Sequence, residues 1–214
     1  MTFIIDFDHT LFNTTRFKKE LARSTRKLGI GPELWLSTYK KTIERVKDAY
    51  DYNARAHSQI LSKKTGIPAP VIEKRLKLVL PKSEKFLYPD TKAFLKFLKN
   101  KGDKIILLTL GNIGWQKEKI KNIKIKKYFD KLIYTYWHKK YLKINLKSSP
   151  KNWIFINDDP GEITELKKIF PQSAFLRIER KEGKKFPKKI DKIKVPTFTN
   201  LNKLKIYLNK KGLA

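Results

Sequence analysis

The chain has no cysteine, a single methionine and little acid: 20 Asp and Glu stand against 50 Lys and Arg in 214 residues. Without cysteine there can be no disulfide and no thiolate metal site, and a cytoplasmic location is the expectation. No run approaches the ~20 apolar residues of a membrane-spanning helix, so no membrane partner is expected. The N-terminus enters an apolar strand at once, which is read as leaving no room for a signal peptide. What is present suffices for a core, since 40% of the residues are hydrophobic and 12% aromatic. The length fits one ordinary domain, or a core with a smaller insert.

The net charge of +30 admits two readings. One is a nucleic-acid partner held through its phosphates. The other is compositional bias towards lysine. Basic residues fall alike in Arg16–Lys27, Lys117–Lys127, Lys139–Lys151 and Lys181–Lys194 rather than in one arm or helix. That spread favours bias, although a basic surface still steers anionic substrates inward.

The most informative stretch is Phe3-Ile4-Ile5-Asp6-Phe7-Asp8-His9-Thr10. Alternate residues of an extended chain share a face, so Asp6 and Asp8 are expected to point the same way. A strand this apolar belongs inside a covered sheet. A carboxylate at its end is costly unless it is paired or bound to metal. Two carboxylates with a nearby hydroxyl suit Mg²⁺, and a carboxylate can also attack phosphorus. The plain alternative is a strand followed by a polar turn with Asp and Thr as caps.

From Thr14 to about Lys85 the spacing predicts helices without a strand, an insert behind the first strand. From Tyr88 onward, predicted strands at 104–109, 132–136, 153–157 and 174–178 alternate with helices. Such alternation favours a parallel sheet with right-handed crossovers. Sites in these sheets lie beyond the carboxyl ends of the strands. Three strand ends there carry polar groups: Asp6 with Asp8, Thr109, and Asp158 with Asp159.

Those residues, in that order, resemble the motifs of the haloacid dehalogenase-like superfamily. Asp6-Phe7-Asp8-His9-Thr10 matches its first motif and Thr109 its second. A lysine after the third strand matches its third. Ile156-Asn157-Asp158-Asp159-Pro160-Gly161-Glu162 matches its acidic fourth. The resemblance implies an α/β fold: a Rossmann-like three-layer α/β/α core with a mainly parallel sheet, plus a small all-helical cap. The core would comprise residues 1–13 and 86–214, the cap residues 14–85.

The resemblance further implies a Mg²⁺-dependent phosphatase acting on a small anionic phosphomonoester through an aspartyl-phosphate. Asp6 would be the nucleophile, and Asp8 would protonate the leaving oxygen and then activate water. A second carboxylate at this place argues against carbon–halogen cleavage, because the dehalogenase branch typically lacks it. Mg²⁺ would sit among Asp6, the Asp8 carbonyl, Asp158 and the phosphate. Thr109 and the Leu110 amide would hold the phosphate, and Lys140 would neutralise its charge, with Lys139 second and Lys143 close behind.

Departures from the pattern carry their own expectations. His9 stands where the family commonly has glycine, and is read as a local hydrogen-bonding residue more readily than a substrate contact. Glu162 takes the place of a frequent Asp, and would face the metal or offset charge at a helix start. Asp159 would bind metal or cap that helix. In the insert, Trp35, Tyr39, Tyr50 and Tyr52 are expected to pack as core rather than hold ligand. Arg16, Lys19, Arg23 and Arg55 could reach an anionic substrate or lie in solvent. Competing functions are a phosphatase of nucleotides or nucleic-acid ends, motivated by the charge, then a phosphomutase or a non-catalytic binding module.

Overall fold

The computed structural model describes residues 1–45, 52–135, 153–183 and 194–213. Among the described residues six strands form one sheet: β1 (Thr2–Ile5), β2 (Lys104–Leu110), β3 (Lys131–Thr135), β4 (Trp153–Asn157), β5 (Ala174–Ile178) and β6 (Thr197–Phe198). Their order is β3-β2-β1-β4-β5-β6, and every pairing is parallel. The fold is therefore a Rossmann-like α/β fold, as expected. The sequence missed only the two-residue β6 at the edge, too short to show a period.

Strands β1, β2 and β4 read as continuous apolar runs because both faces of the sheet are covered. One face packs Phe3, Ile5, Ile105, Leu107, Ile154 and Ile156. Helices α5 (Thr91–Asn100) and α8 (Leu201–Lys211) belong to the same cluster, through Phe94, Leu95 and Leu98 and through Leu201, Leu204 and Leu208. The other face sets Ile4, Leu108 and Phe155 against Ile163, Leu166 and Phe170 of α7 (Pro160–Ile169) or the turn that ends it. Full burial of one such side chain contributes about 1.5–3 kcal/mol.

Between β1 and β2 the chain forms α1 (Thr14–Thr25), α2 (Pro32–Arg45), α3 (Ala54–Thr65) and α4 (Ala69–Lys77). A 3₁₀ segment, Leu80–Phe86, follows and leads back towards the sheet. Asn13 caps α1 by accepting from the Arg16 amide, and Asn53 caps α3 by accepting from Arg55 and Ala56. Inside this helical segment Trp35 packs on Tyr39, and His57 is clasped between Thr38 Oγ1 at 2.9 Å and Tyr52 Oη at 3.0 Å. After β2, α6 (Ile113–Lys121) starts on the Asn112 cap.

The chain leaves β1 for β2 on one side, while β4 pairs with β1 on the other. This reversal opens a crevice at the carboxyl ends of β1, β2 and β4, where such sheets bind ligands.

Candidate active site

Asp6 follows β1 directly, and its amide donates to the Ile156 carbonyl at 2.9 Å, tying the motif to β4. Its carboxylate is buried, and Oδ2 has no hydrogen-bond partner among the described residues. Burial first, then the charges of Glu162, Asp158 and Asp8, push the Asp6 carboxyl well above the usual range; the Thr10 hydroxyl opposes them.

Asp8 has the opposite surroundings. Its carboxylate accepts from Lys119 Nζ at 2.7 and 2.9 Å, from Gln116 Nε2 at 2.6 Å and from the Thr14 hydroxyl. Burial would raise it, but the Lys119 charge and these hydrogen bonds together hold it down at about 2. Lys119 is itself 3% exposed and lies 5.0–5.8 Å from the ring centres of Phe7, Phe12 and Phe17. Such a lysine is kept charged by its partner against the pull of burial.

The turn after Asp8 explains a departure from the family pattern. His9 has φ of 61°, in the left-handed region that glycine enters without penalty. Its amide donates to the Phe12 carbonyl at 2.8 Å, closing the turn. Thr10 is fully buried, and its carbonyl accepts from Arg180 Nη2 at 2.8 Å. Arg180 in turn forms a bidentate pair with Asp90 at 2.7 and 2.9 Å, and Asp90 also accepts from the Leu201 amide. A buried ionic staple therefore anchors the motif loop to α5 and α8.

Thr109 is the penultimate residue of β2 rather than its last, and its buried hydroxyl also lacks a partner among the described residues. Leu110 follows and lines the crevice. Beyond β4, Asp158 lines it too. Asp159 accepts from the Gly161 and Glu162 amides at 2.8 and 3.2 Å, so it caps α7. Glu162 accepts from Asn157 Nδ2 at 2.8 Å.

No group of three or more His, Asp or Glu side chains surrounds a common metal position among the described residues. Mg²⁺ needs none, because it usually takes one or two carboxylates and completes its shell with water and substrate phosphate. Asp6 and Asp158 would supply two such oxygens, and the orphaned Asp6 Oδ2 fits a cation.

A family model for haloacid dehalogenase-like hydrolases matches residues 1–157. The chain belongs to that family. No curated protein matches the sequence. Among solved structures, a haloacid dehalogenase-like hydrolase of Burkholderia xenovorans shares the fold with a TM-score of 0.79 at 15% identity, covering 100% of this chain and 98% of that one. The magnesium-bound hydrolase YfnB of Bacillus subtilis gives 0.70 at 13% identity, covering 97% and 98%. L-2-haloacid dehalogenase of Xanthobacter autotrophicus, with chloropropionic acid covalently bound, gives 0.66 at 14% identity, covering 97% and 98%. Identities this low establish the hydrolase's fold and leave its substrate open.

In this hydrolase the structure brings Asp6, Asp8, His9, Leu110, Asp158, Asp159 and Glu162 to one cavity of about 380 Å³. Thr10 and Thr109 are buried and are not among its lining residues. Lys139, Lys140 and Lys143 fall outside the described residues, as does Tyr50. Of the other aromatic residues singled out in the insert, Tyr39 and Tyr52 line the cavity, whereas Trp35 does not. Arg16, Lys19, Arg23 and Arg55 do not line it either; the basic residue of α1 that does is Lys18. Sequence reasoning missed Gln116 and Lys119. Their spacing of three places both on one face of α6, but Lys119 stands among Lys117 and Lys121 with nothing to distinguish it.

Proposed function

We propose that this hydrolase is a Mg²⁺-dependent phosphatase of a small phosphomonoester. The observation that carries the reading is the pairing of two unlike carboxylates two residues apart. Asp6 lies in an acidic cluster with an unsatisfied oxygen, while Asp8 is held ionised by Lys119. The second carboxylate favours phosphoryl transfer over carbon–halogen cleavage.

In this reading Asp6 attacks phosphorus, the ester bond breaks, and the phosphoryl group passes to its carboxylate. Asp8 serves the proton transfers: it protonates the departing alkoxide, then takes a proton from the water that attacks the aspartyl-phosphate. The low range in which Lys119 holds Asp8 suits the second role directly. The first needs a proton that ionised Asp8 does not hold: the phosphomonoester monoanion brings it, passes it to Asp8 as the leaving oxygen displaces Lys119, and Asp8 returns it to the departing alkoxide. Thr109 and the Leu110 amide bind the phosphate oxygens, with Lys140 as their proposed cationic partner. Mg²⁺, held by Asp6, Asp158 and the Asp8 carbonyl, would offset repulsion between the anionic nucleophile and the anionic substrate. The helical segment 14–85 acts as the cap, shielding the reacting groups from bulk water.

The test is phosphate release from a panel of phosphomonoesters with Mg²⁺ and after chelation, run beside halide release from chloropropionate. Metal-dependent phosphate release without halide release supports the reading. Halide release without phosphate release overturns it.

A further inference from the structure

One wall of the cavity is unlike the acidic floor. Four rings from separate elements form a continuous band there: Phe17 of α1, Tyr39 of α2, Tyr52 just before α3, and Trp115 of α6. Tyr39 stacks on Tyr52 with centroids 5.2 Å apart, Tyr52 meets Trp115 edge-on at 5.1 Å, and Trp115 reaches Phe17 at 6.1 Å. The Tyr52 hydroxyl turns away into the helical segment, to His57 Nδ1 at 3.0 Å, so its ring rather than its polar end serves the wall.

Three of the polar side chains beside this band are turned to the acidic floor. Thr14, Gln116 and Lys119 all donate to Asp8, and Gln116 donates also to the Leu110 carbonyl at 3.0 Å. A sugar laid against the band itself would set hydroxyls on ring surface, at a cost of about 1–3 kcal/mol for each group left unpaired. A planar ring would instead trade water for the partly exposed Trp115 ring and the edges that Tyr39 and Tyr52 leave open, and Lys18 lies 5.0 Å from the Tyr39 centroid, where a cation favours further π-density.

We infer that the alcohol part of the substrate carries a planar aromatic ring, and that Tyr39, Tyr52 and Trp115 select it. This rests on the phosphatase reading for the chemistry, but ring selection is a matter of binding. The cavity volume of about 380 Å³ accommodates one ring system joined to a phosphate by a short linker.

The experiment measures calorimetric binding of phenethyl phosphate, glycerol phosphate and glucose 6-phosphate to Asp6→Asn protein with Mg²⁺. All three are esters of primary alcohols, so leaving-group chemistry does not separate them. The expected result is phenethyl phosphate binding at least about tenfold more tightly than either other ester, the scale of one base–aromatic stack. Trp115→Leu, on the partly exposed face of α6, is expected to shrink that preference to about threefold or less while leaving glycerol phosphate affinity unchanged. Tyr39→Leu provides the same comparison from α2 should Trp115→Leu fail to fold. Equal binding of the three esters, a preference for glucose 6-phosphate, or a ring preference surviving both substitutions would overturn the inference. Wild-type protein that binds phenethyl phosphate selectively but releases no phosphate from any ester would overturn the phosphatase reading and leave ring selection standing.

Discussion

Lys119 Nζ lies 2.7 and 2.9 Å from the two carboxylate oxygens of Asp8, buried within a cage of three phenylalanine rings. This pair joins α6 to the motif loop after β1 and sets Asp8 apart from Asp6 beside it. Lys119 and the hydrogen bonds around it lower Asp8, while burial and neighbouring carboxylates raise Asp6, so two carboxylates close in sequence shift in opposite directions.

Removing one member of the pair leaves the other charge buried alone. Lys119→Met is expected to cost about 3–5 kcal/mol of stability, and Lys119→Arg considerably less, measured by urea unfolding at neutral pH. The folded Asp8 carboxyl sits at about 2 against an ordinary 3.8. Its contribution is therefore complete above 3.8 and lost as pH falls towards 2. The gap in stability between wild type and Lys119→Met should narrow across that window; a gap that stays constant there contradicts the assignment.

Arg180 and Asp90 form a second buried pair, 6% and 8% exposed, far from α6 in sequence. Arg180→Met should destabilise by about 3–5 kcal/mol because Asp90 is stranded. The double variant with Asp90→Leu should recover part of that loss, although the Leu201 amide and the Thr10 carbonyl then lose their partners. A full thermodynamic cycle by denaturant unfolding measures the coupling, and additive single effects would show that the pair does not act as a unit.

His57 gives the helical segment a distinct acid response. Burial pushes its imidazole down to about 4, against the opposing effect of the Trp35 backbone. Between pH 6.5 and 4 the unfolded chain binds this proton and the folded chain does not, so stability falls as pH drops through that window. The loss approaches about 3 kcal/mol by pH 4. Thermal unfolding between pH 7 and 4 should show it, and His57→Gln should flatten that part of the curve. An unchanged slope in the variant would assign the acid loss to other groups.

Metal affinity tests the acidic floor. Asp158→Asn removes a negative neighbour from Asp6 and one proposed ligand, so Mg²⁺ binding by calorimetry should weaken about 10–100-fold. Asp159→Asn should leave metal affinity nearly unchanged, because its oxygen is engaged in capping α7. Equal losses in both variants would place Asp159 in the metal site.

The sheet was legible because buried parallel strands announce themselves as short apolar runs, and β4 and β5 fall at the boundaries read from the sequence. Asp6, Asp8 and Asp158 were legible for a related reason, as charges placed where such runs stop. Lys119 was not, because its role depends on burial and a single lysine in a lysine-rich helix carries no local sign of that. Arg180 was hidden likewise, its partners lying 90 and 170 residues away. Tyr39 and Tyr52 show why one helical period cannot separate core from wall: both are almost fully buried, and both face the cavity.

The central claim is that Asp6 takes the phosphoryl group. Acid quenching during turnover of a hydrolysed phosphomonoester, followed by peptide mass spectrometry, tests it most directly. The expected result is a phosphoryl group on the peptide containing Asp6, absent from Asp6→Asn protein, which should also lose turnover. Full phosphate release by Asp6→Asn protein, or a phosphoryl group carried on another residue, would contradict the account.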